Sequence, residues 1–452
     1  MTKHPTESQP AQTGEPARCP VHLDKEDPAF LATAYATYAE LRAQGPVVRA
    51  AFGRGFADAV QSTLDKKPGG PPPLHERFFV TRYDEAVEAL LDDRLSSDFR
   101  TALAPPQRAQ LAHMPEELKP LAYSLLMLDP PDHTRLRKLV QPNFTARAME
   151  GLRPRVQRIV DRLLDEAERA AAARGEAAPT RTMDWRQAFA HPLPVAVISD
   201  MLGIPEADRD WLHAWMEKLA SSNPRDPSQM GMRMELMREF QGYLKGLFEQ
   251  RRQSPTEDMI SQMVHAQEDG DRLSDVEMMS MVIILFFAGH ITTVNLLGNG
   301  VVALLTQPGQ YERVREDPSL IKGLIEETLR YWGPVDYMTT PRIALADLEL
   351  AGTRVCAGEQ LSIGLASANR DPARFANPDV FDVTRPDAQR HLAFGKGIHV
   401  CIGAPLARLE AELAFTTLLR RYPSLQLAGS ADALRWSTRA GMRGFESIPL
   451  RF

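Results

Sequence analysis

Phe394-Gly395-Lys396-Gly397-Ile398-His399-Val400-Cys401-Ile402-Gly403 places one cysteine in a loop punctuated by three glycines, and Ala404, Pro405 and a helical run from Leu406 follow it. Glycines let backbone pass close to a flat ligand and leave amide N–H groups free to point at the sulfur. A helix starting beside the sulfur favours its thiolate form. Such a thiolate serves as a nucleophile, a zinc ligand or the axial ligand of haem iron. Zinc takes three or four ligands, and no CxxC or HxxxH partner lies nearby. A nucleophile needs a base, and His399 is the only local candidate. An inert buried cysteine after a Gly-rich turn is the plain alternative. It does not account for six specified identities in ten positions.

The loop resembles that of the cytochrome P450 family, F-G-x-G-x-H-x-C-x-G. The resemblance implies haem b with Cys401 as its thiolate ligand and iron contact, Phe394 shielding the sulfur, and Gly395 and Gly403 shaping the loop. A thiolate ligand pushes electron density onto iron and favours O–O cleavage. Moving outward, Glu327-Thr328-Leu329-Arg330 is similar to the family's E-x-x-R, with its two charges on one helical face. Phe375, Pro378, Phe381 and Arg385 follow in the F-x-x-P-x-x-F-x-x-x-R pattern, so Glu327, Arg330 and Arg385 resemble the family's buried structural lock. Asn369-Arg370-Asp371-Pro372 matches bacterial members. His133 and Arg137 resemble the H-x-x-x-R pair that binds haem propionates, and the same resemblance adds Arg342 and His399. Arg135, Lys138 and Arg408 would then belong to a cationic face that meets an acidic ferredoxin.

Ala288-Gly289-His290-Ile291-Thr292-Thr293 stands where the family carries [AG]-G-x-[DE]-[TS]. Ala288 and Gly289 lack bulk, so O2 and substrate can approach the helix, and Thr292 would assist oxygen protonation. Ile291 replaces the usual acid and cannot relay a proton. Thr292 with ordered water is one explanation; peroxide-driven or otherwise atypical oxidation is another. His290 occupies a variable position and is not expected to bind iron. The resemblance further implies a pocket lined by segments 102–126, 216–237, 284–292 and 335–339. These are rich in Met and Leu, which suits a small apolar organic substrate such as a polyketide, terpenoid, steroid or fatty acid. Electrons would come from a ferredoxin and ferredoxin reductase. A haem-binding recruitment protein without oxygenase activity, a peroxygenase and a cysteine hydrolase are the rival functions.

The remaining sequence sets the frame. Of 452 residues, 43% are hydrophobic and 25% charged, so the chain folds rather than staying disordered. About three-quarters of its surface can be buried, enough for a deep cavity. A net charge of −6 with no dense Lys/Arg run argues against nucleic acid and membrane surfaces. Three scattered cysteines, Cys19, Cys356 and Cys401, point to a reducing compartment. The polar, Pro-rich N-terminus lacks a signal peptide's apolar core, and the apolar run 281–288 falls far short of the ~20 residues that span a bilayer. A cytoplasmic, monomeric protein is expected.

Ser274 and Glu277 form a capping-box pattern ahead of an apolar run to about Leu305, which reads as a long central helix. Leu152, Val156, Ile159 and Leu163 mark an amphipathic helix, Arg77 to Tyr83 a strand followed by a helix through Leu91, and Leu348 to Ala366 short hairpins. Residues 1–27 read as a flexible lead-in, 64–74 as a Gly/Pro-rich loop, and the stretch 51–76 as a cover for the cavity mouth. The expectation is one mainly α domain with small β-sheets (α+β) over 28–452, the cytochrome P450 fold with its long helix over the haem.

Overall fold

The computed structural model describes residues 21–452 apart from 25–26, 53–74, 104, 106–107, 110–113, 223–226, 269–270, 339 and 439–441. The N-terminal 20 residues and most of the 51–76 stretch therefore lie outside the described residues. Eight helices carry the argument: α1 (Pro28–Gln44), α2 (Tyr83–Leu91), α3 (Asp132–Val140), α4 (Ala146–Ala173), α5 (Pro192–Leu202), α6 (Asp275–Thr306), α7 (Ile321–Tyr331) and α8 (Ala404–Arg421).

The capping box of α6 forms as its sequence dictates. Ser274 Oγ accepts from Glu277 N–H at 3.3 Å, and Glu277 Oε2 accepts from Ser274 N–H at 2.8 Å. The helix is long and apolar enough to cross a membrane, so the short length of the 281–288 run is not what distinguishes it. What does is packing: α6 lies against α5, α7 and α8, and every residue from Thr293 to Leu304 is buried. The amphipathic stripe of α4 buries Leu152, Val156, Ile159 and Leu163 in the same core.

A six-stranded sheet flanks this helical body in the order β1 (Val21–Leu23), β2 (Val47–Phe52), β3 (His75–Val80), β8 (Gln360–Ile363), β5 (Arg342–Ala344) and β4 (Leu95–Ser96). Strands β6 (Leu348–Leu350) and β7 (Thr353–Val355) form a separate hairpin. Two expectations change here. The lead-in does not extend to residue 27, because Val21–Leu23 pairs in parallel with β2 and Leu23 is fully buried. Three residues give no readable alternation, so only the pairing exposes this strand. The hairpin reading of 348–366 holds for β6 and β7, but Leu361–Ile363 pairs in parallel with Phe78–Val80 and Leu365 opens a short helix.

One buried knot ties distant segments together. Arg443 clasps Asp336 with two 2.8 Å bonds, and the Tyr38 hydroxyl donates to the same carboxylate at 3.1 Å. It joins α1, the segment after α7 and the chain's C-terminal part.

Candidate active site

The cysteine loop rests on α2 and leads into α8. Gly397 has φ +76°, and a Cβ there would stand 2.7 Å from the Leu90 carbonyl oxygen, so only glycine fits both conformation and contact. Cys401 N–H donates to the Phe394 carbonyl at 2.9 Å and closes the loop. The cysteine is a free, accessible thiol. Burial pushes its pKa up, while the N–H groups of Gly403 and Ala404 and the charges of Arg137 and Arg408 act in the opposite direction. Cys356 is also free and exposed, and lies in a turn whose N–H groups donate to Glu359 and Asp347.

His133, Arg137, Arg342 and His399 come together although they derive from α3, β5 and the cysteine loop. The two imidazole rings lie 4.3 Å apart. Both ring nitrogens of His133 and Nε2 of His399 are buried without a hydrogen-bond partner. Burial, followed by Arg342, His133 and Arg137, drives the His399 pKa down to about 3. Burial pulls Arg342 down to about 10. Among the described residues neither Arg137 nor Arg342 forms an ion pair, and Asp129 stays 4.0 Å from His399 Nε2. Two guanidinium groups beside two unsatisfied imidazoles fit a ligand bearing two carboxylates, and the accessible Cys401 thiol fits its metal. The residues present therefore suit iron protoporphyrin IX.

Behind this loop, Arg330 makes two 2.7 Å bonds to Glu327, and Arg385 adds a third at 3.1 Å. Glu327 and Arg330 are wholly buried. The remaining guanidinium hydrogens go to the carbonyls of Asn369, Ala376, Asn377, Pro378 and Val380, so the arginines staple 369–385 onto α7.

On α6, between Met278 and Leu304, the accessible residues Ile284, Phe287, Ala288, Ile291 and Thr292 recur as a stripe at i, i+3, i+4, i+7 and i+8, with Leu285 and Gly289 partly exposed beside them and the rest of that span buried. The lone polar side chain of the stripe, Thr292, donates to the Ala288 carbonyl at 2.6 Å. Gly289, partly exposed beside this stripe, also packs against α5: a Cβ there would meet Ile198 at 3.0 Å, so its missing side chain serves close helix packing. His290 points into protein, buried edge-on against His191 with ring centroids 4.4 Å apart. Of the expected pocket segments, Leu126 is 46% exposed, but Met216 and Met237 pack in the main core. Thr339 and parts of 102–126 lie outside the described residues.

The expected cationic face changes as well. Arg135 pairs with Glu277 and Arg408 with Glu326, so two of its three cations are matched by acids of this chain. Sequence reading missed Glu326, His391 and Glu410. The signal for Glu326 was a second acid directly before Glu327 on a mostly buried helix. Glu410 is buried with Oε2 unpartnered, and burial pushes its carboxyl up to about 8.

A helical body with a cysteine loop, a dicarboxylate cradle and a buried Glu/Arg/Arg staple defines a haem-thiolate protein. The comparisons carry this to a family. The cytochrome P450 family model matches residues 78–432. Cytochrome P450 107B1 of Saccharopolyspora erythraea is 44% identical over 83% of this chain and 89% of its own length. The cytochrome P450 monooxygenase PikC of Streptomyces venezuelae is 42% identical over 94% of this chain and 92% of its own. The solved cytochrome P450 PksS of the Bacillus subtilis bacillaene polyketide synthase superposes with a TM-score of 0.80 at 34% identity, covering 95% of this chain and 99% of its own. The chain belongs to the cytochrome P450 family; it is an oxidoreductase of the monooxygenase type whose cofactor is haem with a cysteine thiolate ligand.

Proposed function

We propose that the protein hydroxylates an apolar secondary metabolite of the polyketide type, with Cys401 holding the haem iron and a ferredoxin and its reductase supplying electrons in the cytoplasm. The observation that carries the reading is the stripe on α6, four hydrocarbon side chains and one hydroxyl. A bound haem supplies oxygen activation. His133, Arg137, Arg342 and His399 would hold its two propionates and lose their desolvation penalty in doing so. Ile284, Phe287 and Ile291 exclude water and orient a hydrocarbon skeleton. Thr292 is the one group of the stripe that can hold or pass a proton, its hydroxyl turning from Ala288 toward water or substrate. Polyketide chemistry enters from the bacillaene synthase relative, and the apolar stripe is compatible with it.

Titrating the oxidised, haem-loaded protein with a macrolactone, a steroid and a dicarboxylic acid tests this reading. Spin-state shifts with the first two are expected. A shift with the diacid alone would overturn it. Ile291 supports a second reading, turnover driven by peroxide, since no carboxylate stands beside Thr292 to feed protons. Comparing product yield from hydrogen peroxide with yield from reduced ferredoxin separates the two. Product from peroxide alone would favour the second.

A further inference from the structure

Glu326, His391 and Arg408 form a triad with no part in the family lock beside them. Arg408, in the second turn of α8, grips Glu326 with both prongs, Nε to Oε1 at 2.6 Å and Nη2 to Oε2 at 2.8 Å. His391 Nε2 reaches Glu326 Oε2 at 3.2 Å. Its Nδ1 accepts from Ala393 N–H at 3.1 Å, which assigns the donated proton to Nε2. The carboxylate is thus fixed from two sides and held at about 2, since the bonds from Arg408 and His391 outweigh the effect of burial. The clamped guanidinium lies over the Phe394 ring, 4.6 Å from its centroid, and His391 flanks the same ring at 5.7 Å. Phe394 in turn receives the Cys401 N–H.

We propose that Glu326 and Arg408 are positioning residues that set the charge felt by the Cys401 sulfur. Arg408 brings a positive charge to the cysteine loop, and Glu326 both aims it and offsets it. An ordinary surface ion pair contributes ~0–1 kcal/mol and acts on stability only. This pair differs in location: the Glu326 side chain is 17% exposed against 39% for Arg408, and the guanidinium rests on the residue that closes the ligand loop. Positive charge near the site favours addition of an electron to it, and negative charge opposes that addition. The two residues therefore act with opposite signs on the reduction potential.

The inference rests on Cys401 as the iron ligand, which the ferrous carbonyl band reports separately. The test is a spectroelectrochemical titration with mediator dyes of haem-loaded protein, without substrate, for the wild type and the Glu326→Gln, Arg408→Gln and Arg408→Lys variants. Glu326→Gln should shift the reduction equilibrium severalfold toward the reduced form, and Arg408→Gln severalfold away from it. Arg408→Lys keeps the charge and should stay near the wild type. If Arg408→Gln loses the thiolate-type carbonyl band, the contrast between Glu326→Gln and Arg408→Lys carries the test. Shifts of the same sign in both charge-removing variants, or no shift in Glu326→Gln, would overturn the proposal.

Discussion

At position 291 a branched hydrocarbon stands in a stripe where a carboxylate would serve Thr292. Ile291→Glu is expected to raise the ratio of product formed to reduced cofactor consumed by about two- to tenfold, less than the roughly 10²–10⁴-fold that a positioned acid contributes to a rate. An unchanged ratio would show that Thr292 and water already suffice. Glu410 offers a second test at this scale. Its carboxyl, at about 8 in the folded chain and near 4.5 when exposed, keeps a proton in the native state that the unfolded state releases between those values. The folded form then binds more protons, so stability falls as pH rises through that window, by on the order of 3 kcal/mol between pH 5 and 7.5. Glu410→Gln should flatten this slope and raise the melting temperature more at pH 8 than at pH 5. Equal changes at both pH values would contradict the assignment.

Among elements, α7 has two roles: Glu327 faces the staple and Glu326 faces the cysteine loop. Arg330→Ala would leave Glu327 buried without its main partner, a loss of about 3–5 kcal/mol read by urea unfolding. A loss below ~1 kcal/mol would mean that Arg385 alone satisfies the carboxylate. α6 with its capping box and α4 were legible because each rests on local spacing, Ser274 to Glu277 and a 3.6-residue apolar period, whereas the staple was legible only by resemblance, since Glu327 and Arg330 alone read as a surface pair and Arg385 is distant in sequence. Val21–Leu23 was not, since a three-residue edge strand carries no period and owes its place to β2. The packing contact of Gly289 was missed for a related reason. Its neighbour Ile198 lies on another helix, and sequence spacing does not report helix-to-helix distance. The pairing of Arg408 with Glu326 is equally non-local, 82 residues apart.

For the whole molecule, the proposed haem site would gather residues that the chain separates by more than 260 positions, His133 and Cys401 among them. The cysteine loop was the part of this site best marked in the sequence, because its glycines, phenylalanine and histidine are fixed within ten residues. The cradle was legible only by resemblance, since a lone His/Arg spacing on an exposed helix face looks the same. What the fold adds is the unsatisfied state of that cradle: imidazole nitrogens buried without a hydrogen-bond partner beside two guanidinium groups, with Asp129 no nearer than 4.0 Å to His399 Nε2. Haem held by this arrangement would be part of the stable structure, since binding of a ligand to the native state stabilises it by mass action.

The measurement that tests the central claim most directly is the absorption spectrum of the reduced, carbon monoxide-treated protein, for the wild type and for Cys401→His. The wild type is expected to show the red-shifted Soret band of a thiolate-ligated ferrous carbonyl, and Cys401→His to lose it while retaining haem. A haem-loaded wild type without that band, or a Cys401→His variant that keeps it, would contradict Cys401 as the ligand.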